Sequence, residues 1–215
     1  MEGNGKSISS EREIATFDKI EIEGVFNVIL SQGGEESLKI ETDEDIQLLI
    51  LTNVENGILK VKMKDSTCIK KLKNVNTSIN ISDINKLSTT GVGKLTCTKP
   101  LNLRQLELKC KGVGATELKI IAEKLTVKSE IVSLLDLPGT VKEVDIRHSG
   151  LGAIKAFELK TEKLKLLSEG IGAAEINASQ ELSINVKGFG AVKYKGNPAI
   201  KRIKKEGLGK VESAD

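Results

Sequence analysis

The sequence is poor in aromatic residues and proline, and it contains no tryptophan. Aromatic side chains make up 2% of its 215 residues, and there are only three prolines. Compact domains usually obtain much of their buried area from large aromatic side chains. A chain that relies on Ile, Leu and Val instead is expected to have a thin and regular interior.

Cysteine and histidine are also scarce. The three cysteines, Cys68, Cys97 and Cys110, are odd in number and widely spaced, which argues against a disulfide framework. There is no CxxC motif, and with a single histidine, His148, no zinc site or other cofactor is predicted. Cys97 and Cys110 occupy repeat positions that are apolar or small elsewhere, so we expect them to be buried thiols.

Charge and hydropathy exclude two further classes of partner. The chain has 33 basic and 30 acidic residues, a balance that does not predict nucleic-acid binding in a sequence without stacking aromatics. The basic run from Lys201 to Lys205 is expected to be a solvated face of the last repeat. No apolar run approaches the roughly 18 residues of a membrane span, and no signal peptide is recognisable. The native protein is therefore expected to be cytosolic, or exported with a signal or lipid anchor outside this sequence.

A Gly-apolar-Gly triplet recurs through the second half of the chain. Its first glycines are Gly91, Gly112, Gly150, Gly170, Gly188 and Gly207, which are 21, 38, 20, 18 and 19 residues apart. The interval of 38 spans two repeats and predicts a lost triplet at residues 131–133. Because strand patterns follow the triplets, a phosphate-binding loop is disfavoured; such a loop requires a following helix.

Apolar and polar residues alternate on both sides of each triplet, as in Leu182-Ser183-Ile184-Asn185-Val186. This period of two predicts strands with one face turned inward. We expect the glycines to turn a corner of the chain, and the apolar residue between them to point inward and anchor that corner.

The repeat predicts an all-β fold, a single-stranded parallel β-helix with about 19–20 residues per coil. Seven coils between Leu87 and the C-terminus would stack about 4.8 Å apart and span about 34 Å. We expect one domain over residues 1–215, with the Gly-x-Gly coils in 83–215. Residues 1–82 are predicted to form a strand-rich cap and the first coils, with irregular or antiparallel strands at 19–30, 37–41, 47–52, 58–63 and 77–81 and a hairpin at Asn56-Gly57.

Three groups of residues form a recognisable combination: the opening residues Arg12, Phe17, Ile20, Ile22, Gly24, Val28, Leu30, Gln32, Gly33, Asn56, Gly57 and Leu59, the Gly-x-Gly corners, and Tyr194, Gly196 and Pro198. Together they resemble the putative auto-transporter adhesin, head GIN domain family. The resemblance extends from about Gly5 to Val211 and departs at residues 131–133. It implies a β-helical fold in bacterial proteins that are usually exported, often as lipoproteins, and it carries no catalytic motif.

No catalytic, cofactor or metal residue is predicted. The acidic residues Glu41, Asp43, Glu44 and Asp45 are interpreted as a solvated turn, with calcium binding as the alternative. His148 is interpreted as a half-buried residue beside a corner, with catalysis as the alternative.

We therefore predict a non-enzymatic, exported β-helix protein at the cell surface or in the periplasm, which acts as an adhesin or as a binding or structural module. Its partner is expected to be a surface protein or polysaccharide, or a second copy of the chain, and membranes are involved only through a possible lipid anchor. The alternative is a carbohydrate-active β-helix enzyme. Three or more acidic or Arg side chains in one solvent groove would favour the enzyme, and a smooth Lys/Glu face would favour the binding module.

Overall fold

The computed structural model describes residues 3–64 and 75–215. Strands account for 71% of the structure and helix for 2%, which confirms the all-β prediction. The first part contains seven strands and one short helix: β1 (Ser7–Arg12), β2 (Lys19–Val25), β3 (Asn27–Gln32), β4 (Ser37–Asp43), α1 (Glu44–Gln47), β5 (Ile50–Glu55), β6 (Ile58–Met63) and β7 (Asn76–Ile81).

Seven coils follow, as the repeat predicts. The first three are single long strands, β8 (Lys86–Cys97), β9 (Leu101–Glu117) and β10 (Ile120–Asp136). The last four are pairs of strands: β11 (Gly139–His148) with β12 (Leu151–Lys155), β13 (Leu159–Ser168) with β14 (Ile171–Asn177), β15 (Glu181–Val186) with β16 (Phe189–Lys195), and β17 (Ile200–Lys205) with β18 (Lys210–Ser213).

Consecutive coils pair in parallel, with equivalent repeat positions opposite each other. Leu87 lies opposite Leu108, and Val127 lies opposite both Leu108 and Ile146. In the coil without glycines, residues 131 and 133 lie opposite Gly112 and Gly114. The register therefore confirms the predicted position of the lost triplet.

The N-terminal strands extend and cap the stack, and their order in space differs from their order along the chain. β2 lies between β6 and β8 and is parallel to both, and β3 is likewise parallel to β7 and β8. Beyond this coil, β4 is antiparallel to β7 and β1 is antiparallel to β4. The predicted hairpin joins β5 to β6, with positive φ at both Asn56 and Gly57 as a tight turn of this kind requires. The expectation of an antiparallel cap is thus confirmed.

Four of the five predicted strands have different bounds in the structure; β4 and β7 extend the predicted ranges by two residues and by one residue, and the other two differ more. Residues 19–30 form not one strand but two, which are interrupted at Phe26. Strand β5 begins at Ile50 rather than at Gln47, because residues 44–47 form α1.

The interior is one continuous apolar core, mostly of Ile, Leu and Val, to which every coil but the last contributes buried residues; the last coil adds only the partly buried Val211. In each of four successive coils, two adjacent exposed residues interrupt the alternation and bend the chain: Arg104-Gln105, Glu123-Lys124, Lys142-Glu143 and Glu162-Lys163. None of the helices in the described ranges is long and apolar enough to cross a membrane.

The prediction for the residue between the two glycines is wrong. The alternation continues through the triplet, so that Leu108 and Cys110 point inward while Val113 is 51% exposed on the outside. The glycines are needed for another reason. Gly112 and Gly114 have φ of 120° and 153°, and a Cβ on either would collide with the backbone oxygen of the equivalent glycine in the preceding coil.

Candidate interaction surface

A straight line of exposed apolar side chains runs along the outside of the solenoid. Each occupies the middle position of the triplet or its equivalent, and parallel pairing places all of them except Leu208 directly beside their equivalents in the neighbouring coils. Leu208 follows Phe189 by one repeat. All these side chains are 39% to 81% exposed. We call this line the apolar stripe; it consists of Val25, Val92, Val113, Val132, Leu151, Ile171, Phe189 and Leu208.

A second apolar column lies beside the apolar stripe, two residues further along each coil. It consists of Ala115, Leu134, Ala153, Ala173 and Ala191, which are aligned by the same pairings. Since four of the five are alanine, the larger side chains of the stripe stand above this column. The apolar surface is therefore two residues wide through the middle of the solenoid.

Charged columns border this surface on both sides. One border precedes the triplets and contains Lys111, Glu130, Ser149, Glu169, Lys187 and Glu206. The other lies beyond the alanine column and contains Glu117, Asp136, Lys155, Glu175, Lys193 and Glu212. An apolar centre with a charged rim is the usual anatomy of a protein interface, and apolar patches of this size are rare on surfaces that contact only water.

The sequence predictions missed this surface, although the spacing of its columns carries a signal for it. Inward positions lie an even number of residues from the first glycine of a triplet, at four before it and at four and six after it. The middle residue lies one position after it, and the alanine column lies three after it. Both spacings are odd, so strict counting across the triplet assigns the two columns to the outer face.

A second surface feature is a groove of about 440 Å³ on another side of the solenoid. It contains three carboxylates, on Glu143, Asp145 and Glu181, together with Arg202. This set meets the criterion for an enzyme given above, which is three or more acidic or Arg side chains in one solvent groove. However, Glu143 Oε1 lies 3.6 Å from Lys163 Nζ, and Glu181 Oε1 lies 2.9 Å from Arg202 Nη1.

The acidic side chains of the groove are therefore paired with basic side chains. Asp145 Oδ1 also faces a cation, with Arg147 Nε 3.9 Å away. Each of the three carboxylates therefore has a basic side chain within 4 Å. Glu143 and Glu181 also alternate with Lys124 and Lys163 in one column of the stacked coils, which forms a ladder of alternating charges.

The buried polar residues lie inside the coils, away from both surfaces. His148 is 6% exposed, more deeply buried than the sequence suggested, and its Nδ1 lies 3.2 Å from Ser129 Oγ. Burial lowers the pKa of His148 below its ordinary value. The imidazole is thus enclosed beside a serine of the preceding coil, and its Nε2 is buried without a hydrogen-bond partner among the described residues.

The two thiols in the described ranges both lie at inward positions of the repeat. Cys110 is buried, with Sγ 3.5 Å from Thr116 Oγ1, whereas Cys97 is partly exposed and its Sγ accepts the Lys119 N–H at 3.2 Å. Burial raises the pKa of both thiols. The prediction of a buried thiol is confirmed for Cys110 and only partly for Cys97, while Cys68 lies outside the described residues.

The acidic cluster near α1 is covered by the N-terminal segment. The N–H groups of Gly5 and Asn4 donate to Asp43 Oδ2 and Asp45 Oδ1, each at 3.1 Å, and Lys6 Nζ pairs with Glu44 at 2.9 Å. Asp43 is buried, so the cluster is not simply a solvated turn. Within residues 3–64 and 75–215, no group of three or more His, Cys, Asp or Glu side chains is placed to hold a metal ion.

The basic run in β17 is exposed, as expected, but it is not all on one face. Lys201 lies opposite Leu182, in a column that points inward in the preceding coils. Its Nζ donates to Tyr194 Oη at 3.2 Å and lies 5.3 Å from the centre of the ring. A charge at an inward position blocks the stacking of a further strand, which is one way in which proteins protect the edge of a sheet.

Both the sequence and the structure of the chain are similar to those of known proteins. The family model described as "Putative auto-transporter adhesin, head GIN domain" matches residues 16–198. A search of curated proteins finds no match.

Several solved structures are similar over nearly their whole length. A structure described as a putative adhesin from Bacteroides fragilis has 28% identity and a TM-score of 0.96, with 99% of each chain covered. A putative lipid binding protein from Parabacteroides distasonis has 24% identity and a TM-score of 0.74, and a putative adhesin from Parabacteroides merdae has 20% and 0.70; in both comparisons 100% of this chain and 99% of the other are covered. The last two similarities concern the fold alone.

Proposed function

Because the chain belongs to the putative auto-transporter adhesin, head GIN domain family, we propose that it is a non-enzymatic adhesion module of an exported bacterial protein, displayed in the periplasm or on the outer cell surface. The apolar stripe is the surface that binds the partner. The observation that supports this function is the stripe itself, with eight side chains that are each at least 39% exposed on one straight line.

The physical argument is that a rigid scaffold holds this line in place. Parallel pairing fixes each corner to the corners on both sides, so the stripe loses little conformational entropy when a partner binds. Covering aliphatic and aromatic groups that water already contacts is favourable in itself. The adhesin descriptions of the family and of the Bacteroides fragilis structure support the same function.

The test compares two double variants that remove the same kind of exposed side chain. The stripe variant is Leu151→Ser with Ile171→Ser, and the matched control is Leu51→Ser with Ile121→Ser. Leu51 and Ile121 are strand residues that are 39% and 42% exposed outside the stripe. Neither pair belongs to the buried core, so both variants should fold.

Beads coated with each protein are passed under flow over a glycan array, over immobilised extracellular-matrix proteins, and over the immobilised chain itself. We expect wild-type and control beads to be retained on at least one of these surfaces, with about tenfold less retention for the stripe variant. Equal retention of stripe variant and control, or no retention of the wild type on any surface, would overturn the proposal.

A second candidate is binding or cleavage of a polysaccharide in the charged groove. The observation that favours it is the set of three carboxylates and Arg202 in a groove of about 440 Å³. Release of reducing ends from a panel of polysaccharides, lost in Glu143→Gln with Glu181→Gln, would establish cleavage. Saturable glycan binding that the same variant loses, without release of reducing ends, would establish binding alone.

A further inference from the structure

We propose that the partner of the apolar stripe is a second copy of the chain, packed face to face with its solenoid axis antiparallel to the first. This inference rests on the proposed function, since it uses the stripe as the binding surface. It adds the identity of the partner, the relative direction of the two solenoids and their register. Adhesion through this surface is then homophilic.

The size of the apolar surface fits a pair of equal partners. The six stripe side chains from Val113 to Leu208, together with the alanine column, present on the order of 600 Å² of apolar surface, not far below the ~800 Å² that each partner buries in a standard interface. The surface extends along the stack, so a second copy covers these six side chains when the twofold axis lies between the Leu151 and Ile171 coils, and it leaves Val25 and Val92 uncovered. A twofold pair provides this cover because the same patch serves both partners.

The charges along the two borders distinguish a parallel from an antiparallel arrangement of the two solenoid axes. If the solenoids were parallel, each border of one copy would face the other border of its partner at the same coil. That arrangement juxtaposes four pairs of like charges and only one pair of opposite charges, Lys111 with Glu117. The like pairs are Glu130 with Asp136, Glu169 with Glu175, Lys187 with Lys193, and Glu206 with Glu212. Like charges across an interface are a strong barrier to association.

An antiparallel pair faces each border with its own equivalent, read in the opposite direction. With the twofold axis between the Leu151 and Ile171 coils, only Glu117 and Glu212 form a like pair. Four pairs are then opposite in charge: Lys111 with Glu206, Glu130 with Lys187, Asp136 with Lys193, and Lys155 with Glu175. Moving the axis by half a coil, onto either neighbouring coil, brings like charges together at two or more of these positions. Moving it by one whole coil toward the C-terminus leaves three opposite pairs and no like pair, but only four stripe side chains then face the partner; moving it one coil the other way leaves two opposite pairs. The borders therefore select the direction, and the number of opposite pairs together with the apolar cover favours the register between the Leu151 and Ile171 coils.

The apolar side chains are complementary in the same register. Phe189 of one copy lies opposite Val132 of the other, and Leu151 lies opposite Ile171. In the alanine column, Leu134, its one large residue, lies opposite Ala191, and Ala153 lies opposite Ala173. Phe189 and Leu208 thus face the smaller Val132 and Val113, whereas Leu151 and Ile171, which are similar in size, meet beside the twofold axis.

The experiment uses a charge exchange at Asp136 and Lys193. Among the described residues neither side chain forms an ion pair within its own chain, so the exchange breaks no salt bridge of the monomer. Lys193 lies opposite Glu175 and Glu212, and Asp136 lies opposite Lys155, so each single exchange also brings like charges together within the chain, and its effect on monomer stability is measured separately. The variants are Asp136→Lys, Lys193→Asp and the double variant. Sedimentation equilibrium of the full chain gives the dimer dissociation constant, and a thermal melt confirms that each variant is folded.

We expect the wild type to form a dimer, and each single exchange to raise the dimer dissociation constant about tenfold, because twofold symmetry introduces every new like pair twice. The double variant should recover to within about threefold of the wild type, and Ile171→Asp should be monomeric. A monomeric wild type, single exchanges without effect, or no recovery in the double variant would each overturn the inference.

The outcomes separate this inference from the proposed function. A monomeric chain whose beads still bind a glycan or matrix protein through the stripe retains the function and excludes the self-partner. A dimer with the expected charge response, whose beads are not retained even on the immobilised chain, supports the pairing and excludes adhesion.

Discussion

The glycine corners give the sharpest test of the fold, because the chain contains a matched control for them. Gly112 has φ of 120° and Gly33 has φ of 122°, so an alanine is equally strained at either position. A Cβ on Gly33 would meet nothing within 4 Å, whereas a Cβ on Gly112 would collide with the carbonyl oxygen of Gly91. The two substitutions therefore differ only in the close approach of neighbouring coils.

We expect Gly33→Ala to lower the free energy of unfolding by about 1–3 kcal/mol, the usual effect of a residue held in an unfavourable backbone conformation. Gly112→Ala should cost about 1–3 kcal/mol more, because the coils must separate to admit the methyl group. Urea unfolding followed by circular dichroism measures both. Equal destabilisation would refute the argument, since it would show that backbone conformation alone requires the glycines and that coil contact contributes nothing.

Three further predictions concern buried or inward-facing residues. Because burial lowers the pKa of His148, the unfolded chain binds its proton more readily; the stability that neutral His148 contributes is complete above about pH 6.5 and is lost as the pH falls through the folded-state pKa. His148→Val, which copies Val186 in the same column, should therefore gain stability relative to the wild type as the pH falls below about 6.5 in urea titrations, and an unchanged difference would contradict this. Peptide mapping after treatment of the native protein with iodoacetamide should find Cys110 unmodified and Cys97 partly modified, and equal modification of the two would contradict the burial that we describe. Lys201→Leu should produce open-ended association in sedimentation velocity, whereas its outward neighbour variant Lys204→Leu should not; identical behaviour of the two would show that the inward charge does not protect this end.

Sequence reasoning predicted most of the solenoid because its repeat is a physical constraint on every coil. A parallel stack places equivalent residues side by side, so the columns around Leu108 and Val127 could be aligned from the amino-acid sequence alone. Even the coil that has lost its glycines keeps the register. The cap was harder to predict, because the stack places β2 between β6 and β8, and no local pattern contains the order in which non-consecutive strands pair.

The interaction surface was missed for a different reason. An apolar residue between two glycines predicts a buried anchor only if every apolar side chain is assumed to point inward. Buried residues are mostly apolar, but apolar residues are often exposed, since folded proteins present much apolar surface to water. Position relative to the period is the stronger evidence, because a strand cannot turn one residue inward without turning its neighbours outward. Val113 lies between two residues of the inner face, so its side chain must point outward whatever its hydrophobicity. In a solenoid, a column that is apolar and yet out of phase with the core has no partner within its own chain, and this is why we assign the apolar stripe to binding rather than to folding.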